Sequence, residues 1–260
     1  MSELLVDAGN ARVKWAVRDG RDISSVEYCG HEAGSVPDLS ALTAAVEGTV
    51  TSVVVANVAG TAFEQALRAA LSARRAARIW FAASSRESGG VRNAYAEAHK
   101  LGVDRWAAIV GACRRIVESA TLRPFCVVDA GTALTIDAVA GDGEHLGGLI
   151  LPGLALQRTS LFGSTAGIAE TASNATSPLA SGMPFGRSTA QALAVSGPLA
   201  CAAAVDRCIS QLPVEPERPA LFLTGGDAST LGPWLATDFE ICPNLVFEGL
   251  AILFDQENSS

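Results

Sequence analysis

Apolar and polar positions fall along this chain in short runs, and the runs come in two matching sets. Residues 5–11 read Leu-Val-Asp-Ala-Gly-Asn-Ala, and residues 127–133 read Val-Val-Asp-Ala-Gly-Thr-Ala. Each set opens with a short apolar run, as a buried strand does. It then turns at Asp-Ala-Gly into a second apolar-rich segment. That segment ends in a hairpin signal, Asp19-Gly20 in the first set and Gly141-Asp142-Gly143 in the second. A third strand is expected over 22–28 and over 144–151. Beyond this meander the first half reads helix 39–47, strand 50–57, helix 61–73 and strand 78–82. The second half reads helix 153–163, a loop rich in Ser, Thr and Gly, helix 187–211, strand 220–224 and helix 227–236. A short strand (239–242) and a last helix (245–254) finish the chain. A meander followed by alternating strands and helices predicts α/β domains, each a mixed sheet with helices on both faces. The duplication divides the chain into residues 1–120 and 121–260, with the boundary near 118–124, where Arg123-Pro124 interrupts the pattern. Two copies facing each other across a cleft are the expected architecture.

Composition narrows the function classes. The chain has 260 residues, of which 49% are hydrophobic and 18% charged, enough apolar material for a core in each half. Its net charge of −8 is opposite to that of a typical nucleic-acid binder, so no nucleic-acid partner is expected. The one basic cluster, Arg68, Arg74, Arg75 and Arg78, reads as a helix face and the strand after it. The six cysteines form no C-x-x-C pair and the three histidines are scattered, so zinc spacing is missing and reduced, mostly buried thiols are expected. Glu3 and Asp7 interrupt what would be the apolar core of a signal peptide. No apolar run is expected to reach the roughly 18 residues of a membrane span, so the expected location is cytoplasmic, with no membrane partner.

Three glycine turns carry the candidate chemistry. In the first, Asp7-Ala8-Gly9-Asn10-Ala11-Arg12-Val13-Lys14, a strand ends in Asp-x-Gly and turns sharply. Glycine there can adopt angles that other residues avoid. The turn would present backbone N–H groups and Asn10 to an anion. Asp7 would hold a hydrated Mg²⁺, which prefers one or two carboxylates plus waters and phosphates. Lys14 would reach a phosphate as a point charge. An ordinary hairpin is the plainer reading of either copy alone. The second copy, Asp129, Gly131, Thr132, Ala133 and Thr135, offers donors for terminal phosphates and a carboxylate for a cation. The third feature, Thr224-Gly225-Gly226-Asp227, follows an apolar strand and would let backbone lie close to a flat ring or sugar. No G-x-x-x-x-G-K-[ST] run and no protein-kinase motif set occurs. Two Asp-x-Gly turns with a late Gly-Gly resemble the phosphate and adenosine elements of the actin and sugar-kinase superfamily. That resemblance implies two duplicated ribonuclease H-like domains with a nucleotide cleft between them, the actin-like ATPase fold.

A fourth element, Leu101-Gly102-Val103-Asp104-Arg105-Trp106, starts a helical stripe that continues through Ile109, Cys113 and Ile116. Asp104 reads both as an N-cap and as a general base beside an arginine able to grip a carboxylate with two hydrogen bonds. The two readings are compatible.

With Tyr95 ahead of Gly102-x-Asp104-Arg105-Trp106, the chain resembles the type III pantothenate kinases. Asp7-x-Gly9-Asn10, Asp129-x-Gly131-Thr132, Gly147-Gly148-x-Ile150-x-Pro152-Gly153, Gly186-x-x-Thr189 and Gly225-Gly226-Asp227 carry the same likeness, in order and over essentially the whole length. The resemblance implies ATP-dependent phosphorylation of pantothenate, the first step of coenzyme A synthesis. It implies Asp104 as the base, with Tyr95, Gly102, Val103, Arg105 and Thr189 in the pantothenate pocket. Residues Asp7 to Lys14, Thr132, Gly225 and Gly226 would bind ATP. Asp129 would hold a monovalent cation, K⁺ or NH₄⁺, besides the Mg²⁺ at Asp7, and the protein would be a homodimer. One position departs from the pattern: Ala11 stands where the family usually has Thr or Ser. A neutral hydrogen bond is worth about 0.5–1.5 kcal/mol, so weaker ATP binding is expected there. Competing readings are a kinase of the same fold acting on a sugar or another small hydroxy acid, and a non-catalytic ATP-binding regulator.

Overall fold

The computed structural model describes residues 2–32, 34–46, 50–72, 78–119, 122–164, 185–214 and 217–259. The Ser-, Thr- and Gly-rich loop at 165–184 and the basic positions Arg74 and Arg75 lie outside them. By contacts the chain forms two compact units. One comprises Met1–Leu122, Gly143–His145 and Asn244–Ser260, and the other Arg123–Asp142 and Leu146–Pro243.

The first unit is built on the strands β1 (Ser2–Ala8), β2 (Arg12–Asp19), β3 (Asp22–Ile23), β4 (Glu27–Gly30), β5 (Val50–Asn57) and β6 (Arg78–Phe81). They run in the order β3-β2-β1-β5-β6, with β4 also pairing β2. The β1–β2 pair is antiparallel, whereas β1–β5 and β5–β6 are parallel. Strand β1 is buried at Leu4, Leu5, Val6 and Ala8 alike, the near-continuous burial of a strand covered on both faces. One core cluster joins Leu4, Val6, Val13, Trp15, Val53 and Val55 to Leu42 of α1 (Ser40–Ala44) and to Phe63, Leu67 and Leu71 of α2 (Thr61–Ser72). A two-stranded hairpin, β7 (Glu87–Ser88) and β8 (Val91–Arg92), turns through Gly89 and Gly90 at φ +58° and +85°. Two consecutive left-handed residues are the requirement that makes Gly-Gly a hairpin turn.

Helix α3 (Val103–Ser119) is buried along Trp106, Ile109, Val110 and Cys113. Its partner comes from the far end of the chain. In the second unit, β9 (Phe125–Ala130), β10 (Ala133–Val139), β11 (His145–Pro152), β12 (Ala220–Thr224) and β13 (Glu240–Ile241) run in the order β11-β10-β9-β12-β13. Among the described residues its α-helices are α4 (Leu154–Ser164), α5 (Thr189–Ile209) and α6 (Ala228–Leu231). The last helix, α7 (Leu245–Ser259), returns to the first unit and packs on α3. A side chain at Gly249 would collide with the Ala107 carbonyl, and one at Gly111 would sit 2.6 Å from the Leu245 carbonyl. The two helix backbones therefore touch. Beside them Arg115 donates to Glu248 through Nε at 2.6 Å and Nη2 at 2.5 Å, a bidentate pair.

Both sheets share one plan: an antiparallel hairpin whose first strand is flanked on its other side by a parallel strand. The repeat in the sequence is thus a repeat in topology. The second core joins Cys126, Val128, Leu134 and Leu223 to Cys201, Ala202, Val205 and Ile209 of α5. Contrary to the expectation that no run reaches membrane length, α5 is long and apolar enough to cross a membrane by length and composition, with a mean hydropathy of 1.4. Cys201, Ala202, Val205 and Ile209 instead lie in a protein core. Of the basic cluster, Arg68 pairs with Glu64 at 2.9 Å and lies over the Phe81 ring.

Cys126 on β9 is fully buried, and burial pushes its thiol up from 9.0 to about 12, with Cys208 and Asp137 adding to the effect. The unfolded chain ionises this thiol first and then binds fewer protons than the folded state. Stability therefore falls as pH rises from 9.0, and the loss ends near about 12 where the folded thiol also ionises. Urea titrations across that alkaline range should show a shallower decline for Cys126→Ala than for the parent chain. An unchanged slope would place the alkaline sensitivity elsewhere.

Candidate active site

Asp7 closes β1 opposite Lys14 of β2, and the register brings Lys14 Nζ to 3.6 Å from Asp7 Oδ2. Asp7 is only 8% exposed. Gly9 N–H donates to the Arg12 carbonyl at 3.0 Å, closing the turn over Asn10 and Ala11. A side chain at Gly9 would place its first carbon 3.1 Å from that carbonyl. Neither Gly9 nor Gly131 has a left-handed φ, so glycine serves here for room and not for the unusual angles that sequence reasoning assigned to it. His31, which the sequence left without a role, packs on this turn. Its Nε2 lies 2.9 Å from the Gly9 carbonyl, and its backbone N–H donates to the Ala11 carbonyl at 2.9 Å. Asn10 is exposed at the tip.

The second turn is one residue shorter. Gly131 N–H donates to the Ala133 carbonyl at 3.0 Å, and Asp129 stands opposite Thr135. Ala133 therefore takes the place of Arg12, Thr135 that of Lys14, and Thr132 alone replaces Asn10-Ala11.

Two further segments close on this turn within the second unit. Gly153 N–H donates to the Thr132 carbonyl at 3.0 Å, and Asp227 N–H to the Ala130 carbonyl at 2.9 Å. A side chain at Gly153 would strike the Gly131 carbonyl. Gly225 sits at φ +93°, and a side chain there would strike both the Ala130 carbonyl and Asp129 Oδ1. Only glycine satisfies both demands. Gly226 is exposed beside it, next to a cavity of about 240 Å³ lined by Leu154, Gln157, Leu193, Pro198, Asp227 and Thr230.

The Gly-x-Asp-Arg element opens α3. The helix begins at Val103, so Asp104 lies inside its first turn and is not the cap. Its Oδ1 accepts from Arg105 N–H at 2.7 Å, answering one of the helix's unsatisfied donors and placing negative charge at the positive end of the dipole. A side chain at Gly102 would sit 2.7 Å from Asp104 Oδ1, so that carboxylate position requires glycine. Arg105 is buried, and its Nη1 donates to the Tyr95 hydroxyl at 3.2 Å. The Tyr95 ring stacks on His145, another residue that the sequence did not single out, at 6.2 Å and 14°. Tyr95, Gly102, Asp104 and Arg105 thus form one cluster of the first unit. Thr189 belongs to the second unit, at the first position of α5, behind a cap in which the Ser188 hydroxyl accepts from Gln191 N–H at 3.2 Å. Among the described residues no group of three or more His, Cys, Asp or Glu is placed to hold a metal by itself.

A family model described as "Type III pantothenate kinase" matches residues 3–211. A type III pantothenate kinase of Nitrosococcus oceani is 36% identical over 249 residues, covering 95% of this chain and 92% of that one. One from Janthinobacterium sp. (strain Marseille) is 39% identical over 257 residues, covering 95% of each. Among solved structures, the ethanolamine utilization protein EutJ of Carboxydothermus hydrogenoformans matches with a TM-score of 0.53 at 14% identity, over 97% of this chain and 90% of that one. Component A of the (R)-2-hydroxyglutaryl-CoA dehydratase of Acidaminococcus fermentans matches with a TM-score of 0.51 at 12% identity, over the whole of both chains. The fold is that of the actin-like ATPases.

Gly225→Ala is expected to displace Asp129 and Ala130 and to weaken ATP binding by about tenfold, within the 1–3 kcal/mol of an overpacked position. Calorimetric titration of ATP into the variant measures this, with a retained unfolding transition as control. Unaltered ATP affinity would separate the Gly225–Asp129 contact from nucleotide binding.

Proposed function

The chain belongs to the type III pantothenate kinases and carries out the ATP-dependent phosphorylation of pantothenate that opens coenzyme A biosynthesis; we propose that the clusters described above divide this reaction between them. The observation that carries the assignment of roles is the pairing of Asp104 and Arg105 in the first turn of α3, with the Tyr95 hydroxyl on the arginine.

Asp104 orients the primary hydroxyl of pantothenate and takes its proton. Phosphoryl transfer passes through a loose transition state, so alignment and charge stabilisation dominate and the proton leaves late. Arg105 binds the pantothenate carboxylate, and the neighbouring helix N-terminus favours the same charge. Tyr95, Gly102, Val103 and Thr189 complete the acceptor pocket.

Asp7 through Lys14 form the first phosphate element. The Lys14 ammonium, held across the hairpin by Asp7, is the point charge for the phosphates. Thr132 offers a hydroxyl donor from the second turn. The adenosine lies against Gly225 and Gly226, whose neighbouring cavity supplies apolar walls. Asp7 would hold a Mg²⁺, which when bound would supply positive charge to the transferred group. A single, mostly desolvated carboxylate at Asp7 suits a hydrated Mg²⁺, which takes few protein ligands. Asp129 would hold K⁺ or NH₄⁺. The Asp129 carboxylate and the Ala130 carbonyl, which border the space that a side chain at Gly225 would fill, are oxygen donors of the kind such a cation takes. Ala11 gives this turn one hydroxyl fewer than the family pattern. The protein acts as a cytoplasmic homodimer in this reading, which light scattering at micromolar concentration tests.

Two variants test the acceptor side. Asp104→Asn should fold and bind ATP as the parent does, yet lose about 10²–10⁴-fold in turnover, the usual effect of removing a general base. Retention of more than about a tenth of the parent kcat, a far smaller loss than that range, would leave Asp104 with only its helix-turn role. Arg105→Lys should raise KM for pantothenate far more than KM for ATP, because an ammonium cannot grip a carboxylate in two places. Pantothenol, the alcohol analogue, should distinguish the two proteins poorly. Equal effects on acid and alcohol would take the carboxylate away from Arg105.

A further inference from the structure

The segment that carries Tyr95 is irregular from Asn93 to the short 3-10 turn at Ala98–Lys100, yet its polar groups are bound at almost every step. Arg86, at the start of the β7–β8 hairpin, commits its guanidinium to this one segment. Nη1 donates to the carbonyls of Asn93 and Tyr95, each at 3.0 Å, and Nη2 to that of Ala96 at 2.8 Å. Asn93 is 2% exposed and faces the same segment from inside. Its Nδ2 donates to the Ser85 and Ala98 carbonyls at 3.2 and 3.1 Å, and its Oδ1 accepts from Tyr95 N–H at 3.0 Å. The buried Ser84 hydroxyl donates to the Leu101 carbonyl at 2.8 Å, just before Gly102. Both backbone groups of Tyr95 are therefore tied, one to Asn93 and one to Arg86.

The ring is fixed separately. His145 is fully buried, and its imidazole lies nearly parallel to the Tyr95 phenol, 14° apart with centroids at 6.2 Å. A tyrosine whose backbone is clamped has two side-chain torsions left, and a stacked neighbour restricts both. The hydroxyl at the end of that ring is the acceptor for Arg105 Nη1.

We infer that Arg86, Asn93 and His145 are positioning residues that set Tyr95, and through it the Arg105 guanidinium, so that pantothenate affinity depends on side chains that do not touch pantothenate. This rests on the reading of Tyr95 and Arg105 as acceptor-binding residues. Displacing a positioning group by about 1 Å can cost as much as a hundredfold, and the brace restrains an irregular segment that has no helix or strand ladder to hold it. Arg86 is exposed, so its replacement leaves the core intact.

The full-length chain carrying Arg86→Met, Arg86→Lys, His145→Ala or His145→Phe supplies the test, with two readouts. Hydrogen–deuterium exchange over residues 94–102 reports the brace itself, whatever the substrate. Steady-state kinetics with pantothenate and ATP varied in turn reports its consequence. Arg86→Met and His145→Ala are expected to speed exchange in that segment and to raise KM for pantothenate roughly five- to fiftyfold. KM for ATP should stay within about twofold, because no nucleotide-binding residue belongs to the braced segment. His145→Phe keeps a flat ring against Tyr95 and should restore most of the affinity lost in His145→Ala, while Arg86→Lys should fall between Arg86→Met and the parent. Faster exchange with an unchanged pantothenate KM, or parallel rises in both KM values, would overturn the inference and leave a scaffold without a substrate role. Unaltered exchange in Arg86→Met would overturn the brace. Failure of the parent protein to phosphorylate pantothenate would count against the proposed roles of Tyr95 and Arg105, and exchange would still decide the brace.

Discussion

A carboxylate at the end of a strand buried on both faces has lost most of its water and must be answered by charge or by donors. Asp7 is in that position, and Lys14 answers it from the opposite strand of the hairpin. Much else depends on this register. A slip of one residue between β1 and β2 would turn every side chain of the hairpin to the wrong face. It would also separate the ammonium from the carboxylate and open the Gly9–Arg12 turn. Because β5 pairs in parallel with β1, the same register fixes where the rest of the first sheet lies. In the proposed reaction Lys14 would serve twice, balancing Asp7 across the hairpin and meeting the phosphates of ATP, and Asp7 is the residue that would hold Mg²⁺.

The second hairpin solves a related problem with different means. Asp129 stands opposite a threonine, and its turn is shorter by one residue. What it gains is closure by neighbouring backbone, with Gly153 and Gly225 each approaching too closely to carry a side chain. The first turn is thus organised by an ion pair and a histidine, the second by backbone contact. The two copies of one motif differ across the hairpin: Lys14 faces Asp7 in the first, and Thr135 faces Asp129 in the second.

How far the sequence disclosed this follows from the range of each interaction. Strand β5, helix α2 and strand β12 were legible to within a residue, because period and punctuation are local. The duplication was legible because Asp-Ala-Gly recurs with its hairpin. The clustering of Gly102, Asp104 and Arg105 was legible because they are neighbours in sequence, and Tyr95 only through the resemblance. The length of the second turn was not, since Gly-Thr-Ala and Gly-Asn-Ala look alike until pairing partners are known. Asp104 was read as a cap because no local signal separates the residue before a helix from one inside its first turn. His31, Arg86 and His145 went unremarked: each acts on residues 7 to 50 positions away in sequence, and nothing in its own surroundings marks it. The membrane-length character of α5 was missed because small residues such as Ala, Gly and Ser dilute its apolar run.

The return of α7 to the first unit has a consequence for how the protein is made. A chain emerging from the ribosome presents α3 long before the helix that covers it, and all of β9 to β13 intervenes. Domains generally fold as units in order of synthesis, but here the earlier unit is finished last. Until residues 245–259 are released, the face of α3 that carries Ala107, Gly111 and Arg115 lacks its cover. The second unit is therefore synthesised in full before the first unit receives the helix that packs on α3.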